Sequence, residues 1–320
     1  MRIFRTLDEV PPDFGPSALT IGNFDGVHAA HRRILRRVKE VAIARGLKAS
    51  ALTFDPHPTK VVAPARAPRL MSSPEQRCTL MREEGIEQVL IMPFDRHVAH
   101  LTPEQFVEQV LVRKLGVRAV LLGHDFRFGY KQSGNVRLLE ELGGKYGFTT
   151  EEVKAVTVRG RLVGSTVLRQ LIEAGRVAQA ARLLERPYAL EGHVVPGHGV
   201  GSKQTVPTLN LATQTEVLPA TGVYVTRTHH LENDRVWPSV TNIGYRPTFG
   251  EGQELSIETF LLEPLAAESP RRIRVEFLWR LRSERQFPDA QALKQQILRD
   301  AGVAQAYFRR LKKWTRQSVS

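Results

Sequence analysis

The sequence contains a single cysteine, Cys78, and no run of 18 apolar residues. One cysteine excludes an intramolecular disulfide and any cysteine-based zinc cluster, and it favours a reducing compartment. We expect Cys78 to be a small buried side chain and not a reactive thiol. The first fifteen residues lack the apolar segment of a secretory signal, so neither export nor a membrane span is predicted, and a cytoplasmic protein is expected.

Aromatic residues make up only 7% of the chain, against 42% hydrophobic and 25% charged residues, which is the composition of an ordinary globular protein. Its 24 glycines and 19 prolines are too few for a fibrous or low-complexity chain. The length of 320 residues predicts two domains. Acidic residues are the scarcer charge, and the net charge of +13 suits a polyanionic partner: nucleic acid, an acidic membrane surface or phosphorylated small molecules.

Short apolar segments alternate with amphipathic ones from residue 17 to about 157, which is typical of βαβ units. This alternation predicts a mostly parallel sheet with helices on both faces. The predicted strands cover 18–22, 49–54, 88–94, 119–124 and 148–153, and the predicted helices cover 31–46, 74–84, 103–114 and 135–146.

The pattern becomes wholly helical near Thr166, with Gly175 as a candidate helix C-cap and Arg186 and Pro187 closing the helical stretch. About six short alternating segments follow, punctuated by Gly, Pro and Asn. They predict a small antiparallel barrel or sandwich, with a terminal helix over about 289–314. We therefore expect an α/β domain over residues 1–186 and a mostly β domain over residues 187–320.

The first predicted strand runs into GNFDGVHAAHRRIL, residues 22–35, a glycine-rich turn followed by a helix. His28 and His31 are three residues apart, which predicts that they share one helical face near an N-terminus that attracts anions. A phosphate chain is the ligand that this arrangement favours. Spacing alone leaves two alternatives open: ordinary surface or core histidines, and a metal chelate, although no third ligand is evident nearby.

These residues resemble the G-x-F-D-G-x-H-x-G-H motif of the nucleotidyltransferases that carry the HxGH signature. The resemblance implies that His28 and His31 are catalytic and stabilise negative charge on a triphosphate while an acceptor phosphate attacks the α-phosphorus. It further implies that the turn contributes three ATP-binding residues: Gly22, Phe24 and Asp25.

Three further segments are similar to the flavin-adenylating module of the bacterial bifunctional riboflavin kinase/FAD synthetase family: TFDPHPTKVV (53–62), GHDFRFGYKQSGN (123–135) and GSTVLRQLIEAGRV (164–177). In the third segment this resemblance makes Ser165 and Thr166 phosphate-binding residues and Arg169 a catalytic one. In the first two segments it implies four flavin-binding residues: Pro56, Pro58, Asp125 and Phe126.

A second, independent resemblance covers the other half of the chain. EGHVVPGHGVGSKQTVPTLNL (191–211), TNIGYRPTF (241–249) and SIETFLLE (256–263) are similar to the riboflavin kinase module of the same family, a small β-barrel. It implies that Thr208 and Asn210 hold Mg²⁺ together with ATP, and that Glu258 is the general base on the ribityl 5′-hydroxyl. It also implies two residues that bind the ATP phosphates: Gly201 and Lys203.

The chain departs from the family pattern at a few positions, which are Ala30, Gly164 and Val167 in the first half and Ser202, Thr205 and 264–270 in the second. The resemblance spans about residues 15–310. It implies phosphorylation of riboflavin to FMN and adenylylation of FMN to FAD, with ATP, flavins and Mg²⁺ bound, no nucleic-acid or membrane partner, and a monomer or weak homo-oligomer.

Three alternatives remain at this point. The first is that only the N-terminal domain is active, on FMN or another phosphorylated acceptor such as a phosphopantetheine, while the barrel binds flavin. The second is a basic nucleic-acid-binding protein, and the third is a non-catalytic flavin store. Residues 271–320 carry 13 Lys and Arg against 4 Asp and Glu, and we expect this basic end to be a solvated helix face.

Overall fold

The structure is a computed structural model that describes residues 1–196, 208–247, 253–265 and 269–317. The chain divides into two compact units, Met1–Ser165 and Thr166–Ser320. The helical stretch that the sequence analysis assigns to the first domain belongs to the second unit in this division. A functional boundary after residue 186 stays a prediction.

The first unit alternates strands and helices, as the sequence predicts. Two short 3₁₀ turns, Pro64–Arg66 and Tyr130–Gln132, interrupt this order, and α5 continues as a π-helical segment, Phe106–Lys114. The elements are β1 (Arg2–Phe4), β2 (Ser17–Ile21), α1 (Ala29–Arg45), β3 (Lys48–Asp55), α2 (Pro58–Val62), α3 (Pro74–Glu83), β4 (Gln88–Pro93), α4 (Arg96–His100), α5 (Pro103–Gln105), β5 (Val117–Gly123), α6 (Val136–Tyr146), β6 (Thr149–Val153), β7 (Thr157–Val158) and β8 (Arg161–Leu162).

A six-stranded sheet in the order β1-β4-β3-β2-β5-β6 forms the centre of this unit, and every neighbouring pair of strands is parallel. Strands β2 and β4 are buried almost throughout, since apolar residues cover both faces of the sheet. One face packs against the π-helical segment and α6, and the other packs against α1 and α3. The predicted parallel sheet with helices on both faces is confirmed.

The chain leaves β2 in one direction across the sheet, towards β3 and β4, and returns on the other side of β2 with β5. The point where strand order reverses in an open α/β sheet leaves a crevice at the carboxyl ends of the strands, where ligands bind. In this unit the crevice lies between the ends of β2 and β5. The glycine-rich turn follows β2 directly, and the segment with Asp125 follows β5.

The second unit begins with two helices and continues as an antiparallel barrel. Gly175, which separates the helices, has φ +70°, and a Cβ there would lie 2.9 Å from both Arg280 Cδ and the Tyr224 hydroxyl, so the predicted glycine cap is confirmed. The elements are α7 (Ser165–Glu173), α8 (Val177–Leu184), β9 (Tyr188–Val195), β10 (Thr208–Thr213), β11 (Gly222–His230), β12 (Val236–Pro247), β13 (Gln253–Leu261), β14 (Arg272–Arg282) and α9 (Ala290–Gln317).

The six strands close in the order β10-β13-β12-β11-β14-β9, so the barrel alternative is correct and the sandwich is not. The terminal helix α9 packs outside the barrel, where Ala304 meets Val223, Val225 and Val240. Inside, fully buried hydroxyls of neighbouring strands bond to one another, with Thr226 Oγ1 lying 2.9 Å from Ser239 Oγ and 2.8 Å from Thr241 Oγ1. The buried hydroxyls thus occupy the inside of the barrel, and α9 covers part of its outer face at Val240 on β12.

Candidate active sites

The turn after β2 has an unusual backbone. Phe24, Gly26 and Val27 have φ values of +50°, +74° and +36°, a region that side chains other than glycine rarely adopt. Gly22 begins the turn, and a Cβ there would lie 3.3 Å from the Phe24 ring, so the ring packs closely over the glycine. Backbone at positive φ persists only where neighbouring residues hold it, and it is common at functional sites. The contacts of this turn therefore show what holds it.

The two histidines lie side by side at the end of this turn. Their ring centroids are 3.6 Å apart and the rings are nearly parallel, at 15°. Both residues lie at the start of the helix, as expected: α1 begins at Ala29, and His28 is its N-cap. His28 Nδ1 accepts a hydrogen bond from the backbone N–H of His31 at 3.4 Å, which brings the rings together. Phe24 is 1% exposed and meets the His31 ring edge-on at 5.2 Å.

Asp25 is 3% exposed, and its carboxylate binds the protein's own backbone. Oδ1 accepts hydrogen bonds from the N–H of Met71 at 2.9 Å, the N–H of Ser72 at 3.1 Å and the Ser72 hydroxyl at 3.1 Å. The Gly26 N–H donates to the Ser72 hydroxyl oxygen at 2.9 Å. Asp25 thus fastens the turn to the segment before α3, and a direct contact of its carboxylate with ATP stays a prediction.

Arg77, on α3, holds the same turn from another side, and the sequence analysis did not identify it. Its Nη1 donates to the Asn23 carbonyl oxygen at 2.7 Å and to Thr53 Oγ1 at 3.0 Å, and it lies 3.4 Å from the Phe54 carbonyl oxygen. The Thr53 hydroxyl also donates to the Asn23 carbonyl, at 3.2 Å. Burial lowers the pKa of Arg77, and the negative charges of Asp25 and Asp55 oppose that shift.

The predicted flavin-binding prolines follow β3, next to the turn. Pro56 is exposed and Pro58 begins α2, with the half-buried His57 between them as the N-cap of α2. His57 Nδ1 accepts the Thr59 N–H at 3.2 Å, and its Nε2 lies 2.9 Å from the Asn23 side-chain amide. The structure therefore links the loop of the two prolines directly to the glycine-rich turn.

Asp125 and Phe126 follow β5 on the other side of the crevice. Asp125 is exposed, and the Phe126 N–H closes a turn onto the Gly123 carbonyl at 3.1 Å. The half-buried Phe126 ring stacks on Phe128, with centroids 5.6 Å apart. A Cβ on Gly123 would lie 3.3 Å from Asp125 Oδ1 and 3.8 Å from the Ile34 side chain, so this segment lies close to the first turns of α1.

The predicted phosphate-binding residues of α7 fall on both sides of the division between the units. Ser165 is the last residue of the first unit, and its hydroxyl lies 3.5 Å from the Asp25 carbonyl oxygen, at the glycine-rich turn. Thr166 is exposed and Arg169 is half-buried, and both belong to the second unit. Their contacts with phosphate stay predictions.

The barrel brings Asn210 and Glu258 together although 48 positions separate them in the sequence. Asn210 on β10 pairs with Glu258 on β13, and Glu258 pairs with Asn242 on β12. Directly opposed residues on antiparallel strands point to the same face with Cβ atoms about 4.5–5.5 Å apart. The three half-buried side chains therefore form a row on the outside of the barrel, and Thr208 lies two positions from Asn210 on the same face.

Two neighbours of this row were not predicted. The Ser256 hydroxyl lies 3.4 Å from Glu258 Oε1, on the same strand. Gly244 pairs with Ser256, and a Cβ on Gly244 would overlap Glu284 Oε1 and lie 3.2 Å from the Asn242 amide nitrogen. The Glu284 carboxylate therefore lies near the row, in space that a side chain at position 244 would fill. Predicted residues Gly201 and Lys203, with the departures Ser202 and Thr205, lie outside the described residues.

Each arrangement is suited to a particular chemistry. Two adjacent imidazoles at a helix N-terminus can stabilise charge on a phosphate chain, the main requirement of phosphoryl-type transfer. A carboxylate beside neutral oxygen donors can take a proton from a hydroxyl next to a hard cation. The alternative of a metal held by the histidines gains no support, because the described residues contain no cluster of three or more His, Cys, Asp or Glu able to hold one.

Comparison with known proteins identifies the family. The family model of FAD synthetase matches residues 11–167, and that of riboflavin kinase matches residues 184–308. A bifunctional riboflavin kinase/FMN adenylyltransferase from Pseudomonas fluorescens is 34% identical over 306 residues, covering 96% of this chain and 97% of that protein. The chain belongs to this family. Its member from Escherichia coli K12 is 35% identical over 308 residues, again covering 96% of this chain and 97% of the relative.

Each family match contains one of the two arrangements described above. The FAD synthetase match includes the histidine turn and the proline loop, and the riboflavin kinase match includes the row of Asn210, Glu258 and Asn242. The order of the two family domains is therefore the order of the two candidate sites along the chain.

A solved structure described as a macrolide-efflux protein from Streptococcus pneumoniae has a TM-score of 0.80 and 24% identity, covering 95% of this chain and 98% of that chain. Identity at this level establishes a shared fold and nothing about activity. Within the described residues, no helix combines the length and apolar character needed to cross a membrane.

Proposed function

We propose that the chain makes both flavin cofactors at two separate sites. The second unit would transfer the γ-phosphoryl group of ATP to the 5′-hydroxyl of riboflavin, which gives FMN and ADP. The first unit would transfer AMP from a second ATP to FMN, which gives FAD and pyrophosphate. The observation that carries this proposal is the stacked pair of His28 and His31 at the strand-order reversal of a sheet that matches the FAD synthetase model.

In the first unit, a phosphate oxygen of FMN attacks the α-phosphorus of ATP, the α–β bridging bond breaks, and pyrophosphate leaves with the bridging oxygen. Negative charge grows on the α-phosphate and on the leaving group. His28 and His31 would stabilise that charge, and the α1 N-terminus would add a partial positive charge. Pro56 and Pro58 after β3, and Asp125 and Phe126 after β5, border the crevice that would receive the flavin.

In the second unit, Glu258 would accept the proton of the ribityl 5′-hydroxyl while its oxygen attacks the γ-phosphorus and ADP leaves. The Thr208 hydroxyl and the Asn210 amide are neutral oxygen donors, which fit a Mg²⁺ ion that keeps water and phosphate oxygens as its other ligands. Bound Mg²⁺ would neutralise charge on the ATP phosphates. Ser256 lies within reach of Glu258 Oε1 and would orient the carboxylate.

The deciding experiment is incubation of the purified chain with riboflavin, ATP and MgCl₂, followed by chromatographic separation of the flavins. We expect FMN and then FAD, and absence of both products would refute the proposal. Supplying FMN in place of riboflavin separates the two steps. Conversion of FMN without conversion of riboflavin would establish the alternative in which only the first unit is active.

Substitutions at the two sites should separate the activities. His31→Ala should slow FAD formation by about 100- to 1,000-fold and leave FMN formation intact, because charge stabilisation in the first unit is lost. Glu258→Gln should slow FMN formation by about 100- to 10,000-fold and spare the conversion of FMN to FAD. The exposed His97→Ala and Glu263→Gln variants are the matched controls. Loss of both activities from either site variant in folded protein would contradict the assignment of two sites.

The same proposal extends to the setting of the enzyme. We expect the protein to act in a reducing, cytoplasmic compartment. We also expect it to be a monomer or weak homo-oligomer that binds no nucleic acid. The single buried cysteine supports a reducing compartment, and a soluble flavin substrate supports the cytoplasm. Sedimentation of the purified chain with and without ATP, and a mobility assay with RNA and DNA at physiological salt, test the other two statements.

A further inference from the structure

Arg77 is a buried cation whose hydrogen bonds all go to neutral groups. The residue is 4% exposed, and its acceptors are the carbonyl oxygens of Asn23 and Phe54 and the hydroxyl of Thr53. Its Nε atom is buried and has no hydrogen-bond partner among the described residues. A buried charge held this way opposes folding, and residues of that kind are retained where the charge or its geometry has a use.

The three acceptors belong to the turn after β2 and to the end of strand β3. Asn23 lies in the turn that ends with His28, and Thr53 and Phe54 lie near the end of β3, which finishes at Asp55 directly before Pro56. One guanidinium nitrogen therefore joins the turn proposed to bind ATP to the end of the strand that leads into the loop proposed to bind FMN. Arg77 lies on α3, and the capping box of Ser73 fixes the N-terminus of that helix.

The position of the charge matters as well as the hydrogen bonds. The guanidinium supports a turn whose proposed ligand is anionic, and the buried Asp25 carboxylate of the same turn balances part of its charge. Adenylyl transfer increases negative charge at the reacting phosphates, and the proposed ATP-binding turn must be held in place while that charge develops. The strained backbone of the turn also depends on the Asn23 carbonyl being held in place.

We propose that Arg77 is a positioning residue for adenylyl transfer, which aligns the proposed ATP-binding turn with the end of β3 that leads into the proposed FMN-binding loop. The inference rests on the proposed function of the first unit. It differs from a purely structural role in one respect. A purely structural residue would change stability alone, whereas a positioning residue also lowers kcat in protein that is still folded. Loss of Arg77 leaves three buried acceptors without their donor, so stability should fall as well.

The test compares Arg77→Met and Arg77→Lys with the wild type in the conversion of FMN and ATP to FAD. Arg77→Met should lower kcat by on the order of 100-fold, because misalignment of the reacting groups has effects of that size. Arg77→Lys keeps the charge but not the planar fork, and it should recover about tenfold relative to Arg77→Met. The melting temperature of Arg77→Met should fall, so both assays are run well below it, and riboflavin phosphorylation by the same preparation should be unchanged.

Arg82→Met is the matched control, since Arg82 lies on the same helix and is exposed. Full activity of folded Arg77→Met, or equal activities of the Met and Lys variants, would overturn the inference. If Arg77→Met does not fold, a wild-type kcat in Arg77→Lys would overturn it instead. A wild-type protein that makes no FAD from FMN would refute the proposed function itself, which is a separate outcome.

Discussion

Replacement of Asp25 should lower the free energy of unfolding of the first unit, and the size of the loss follows from the contacts of its carboxylate. The buried carboxylate accepts the backbone N–H groups of Met71 and Ser72 and the Ser72 hydroxyl. Asp25→Ala leaves these donors without their acceptor, and unsatisfied buried donors predict a loss of about 3–5 kcal/mol. Asp25→Asn can keep one oxygen in the Oδ1 position, but loss of the charge weakens each bond and predicts about 1–2 kcal/mol.

The single cysteine provides the assay. Cys78 is 2% exposed in the first unit, and burial raises the pKa of its thiol to about 11. A thiol reagent at pH 8 should therefore label it only when the unit opens. Because each 1.4 kcal/mol is a factor of ten, labelling should accelerate by roughly 100- to 4,000-fold in Asp25→Ala and by about 5- to 30-fold in Asp25→Asn. Asp8→Asn, whose side chain is 99% exposed, should change the rate by less than about threefold.

Replacement of Asp25 should reduce FAD formation more strongly than it reduces the stability of the first unit. The turn keeps Phe24, Gly26 and Val27 at positive φ, and release of the Asp25 contacts lets this backbone relax. We expect Asp25→Ala to lose FAD formation even where the protein is fully folded, while riboflavin phosphorylation continues. A labelling rate for Asp25→Ala within threefold of the wild type would refute the structural role of the carboxylate.

Two further predictions concern the barrel. Gly192→Ala would place a Cβ against the Ala212 carbonyl of the neighbouring strand, and we expect a loss of about 3 kcal/mol or more, seen as reduced riboflavin phosphorylation with FAD synthesis from FMN preserved. Gly302→Ala, a helical position with open space around the Cβ, should be neutral or stabilising, and an equal loss there would contradict the steric argument. Thr226→Val removes two buried hydroxyl contacts and should lower the unfolding free energy by about 1–3 kcal/mol in denaturant titration, whereas an unchanged midpoint would show that the network contributes nothing.

The sequence predicted the first unit well because its signals are local. Alternation of apolar strands with amphipathic helices appears within windows of a few residues, and the glycine-rich turn adjoins both the strand and the helix that it connects. Strand β1 was missed, since its three residues pair with β4 at the edge of the sheet and carry no alternation. Hairpin β7–β8 has two residues in each strand and was missed for the same reason.

Closure of the barrel could not be predicted from alternation. An antiparallel barrel and a sandwich share the same strand pattern, and they differ in whether the first and last strands of the sheet pair. Here β9 pairs with both β14 and β10, which closes the sheet. The row of Asn210, Glu258 and Asn242 depends on this register, so only the family resemblance pointed to two of its members, and Asn242 was missed.

Asp25 and Arg77 show why burial changes the interpretation of a motif. A polar residue in a glycine-rich turn looks like a ligand of the substrate, and a single arginine on an amphipathic helix looks like a solvated charge. The partners of Asp25 lie 46 and 47 positions away, and Arg77 reaches Asn23 across 54 positions. Both side chains are buried on the protein side of the turn, one fixing it to the segment before α3 and the other to the end of β3. The shape of the proposed phosphate site is therefore a tertiary property: the histidines would carry the proposed chemistry, and two buried charges of opposite sign hold the turn before them.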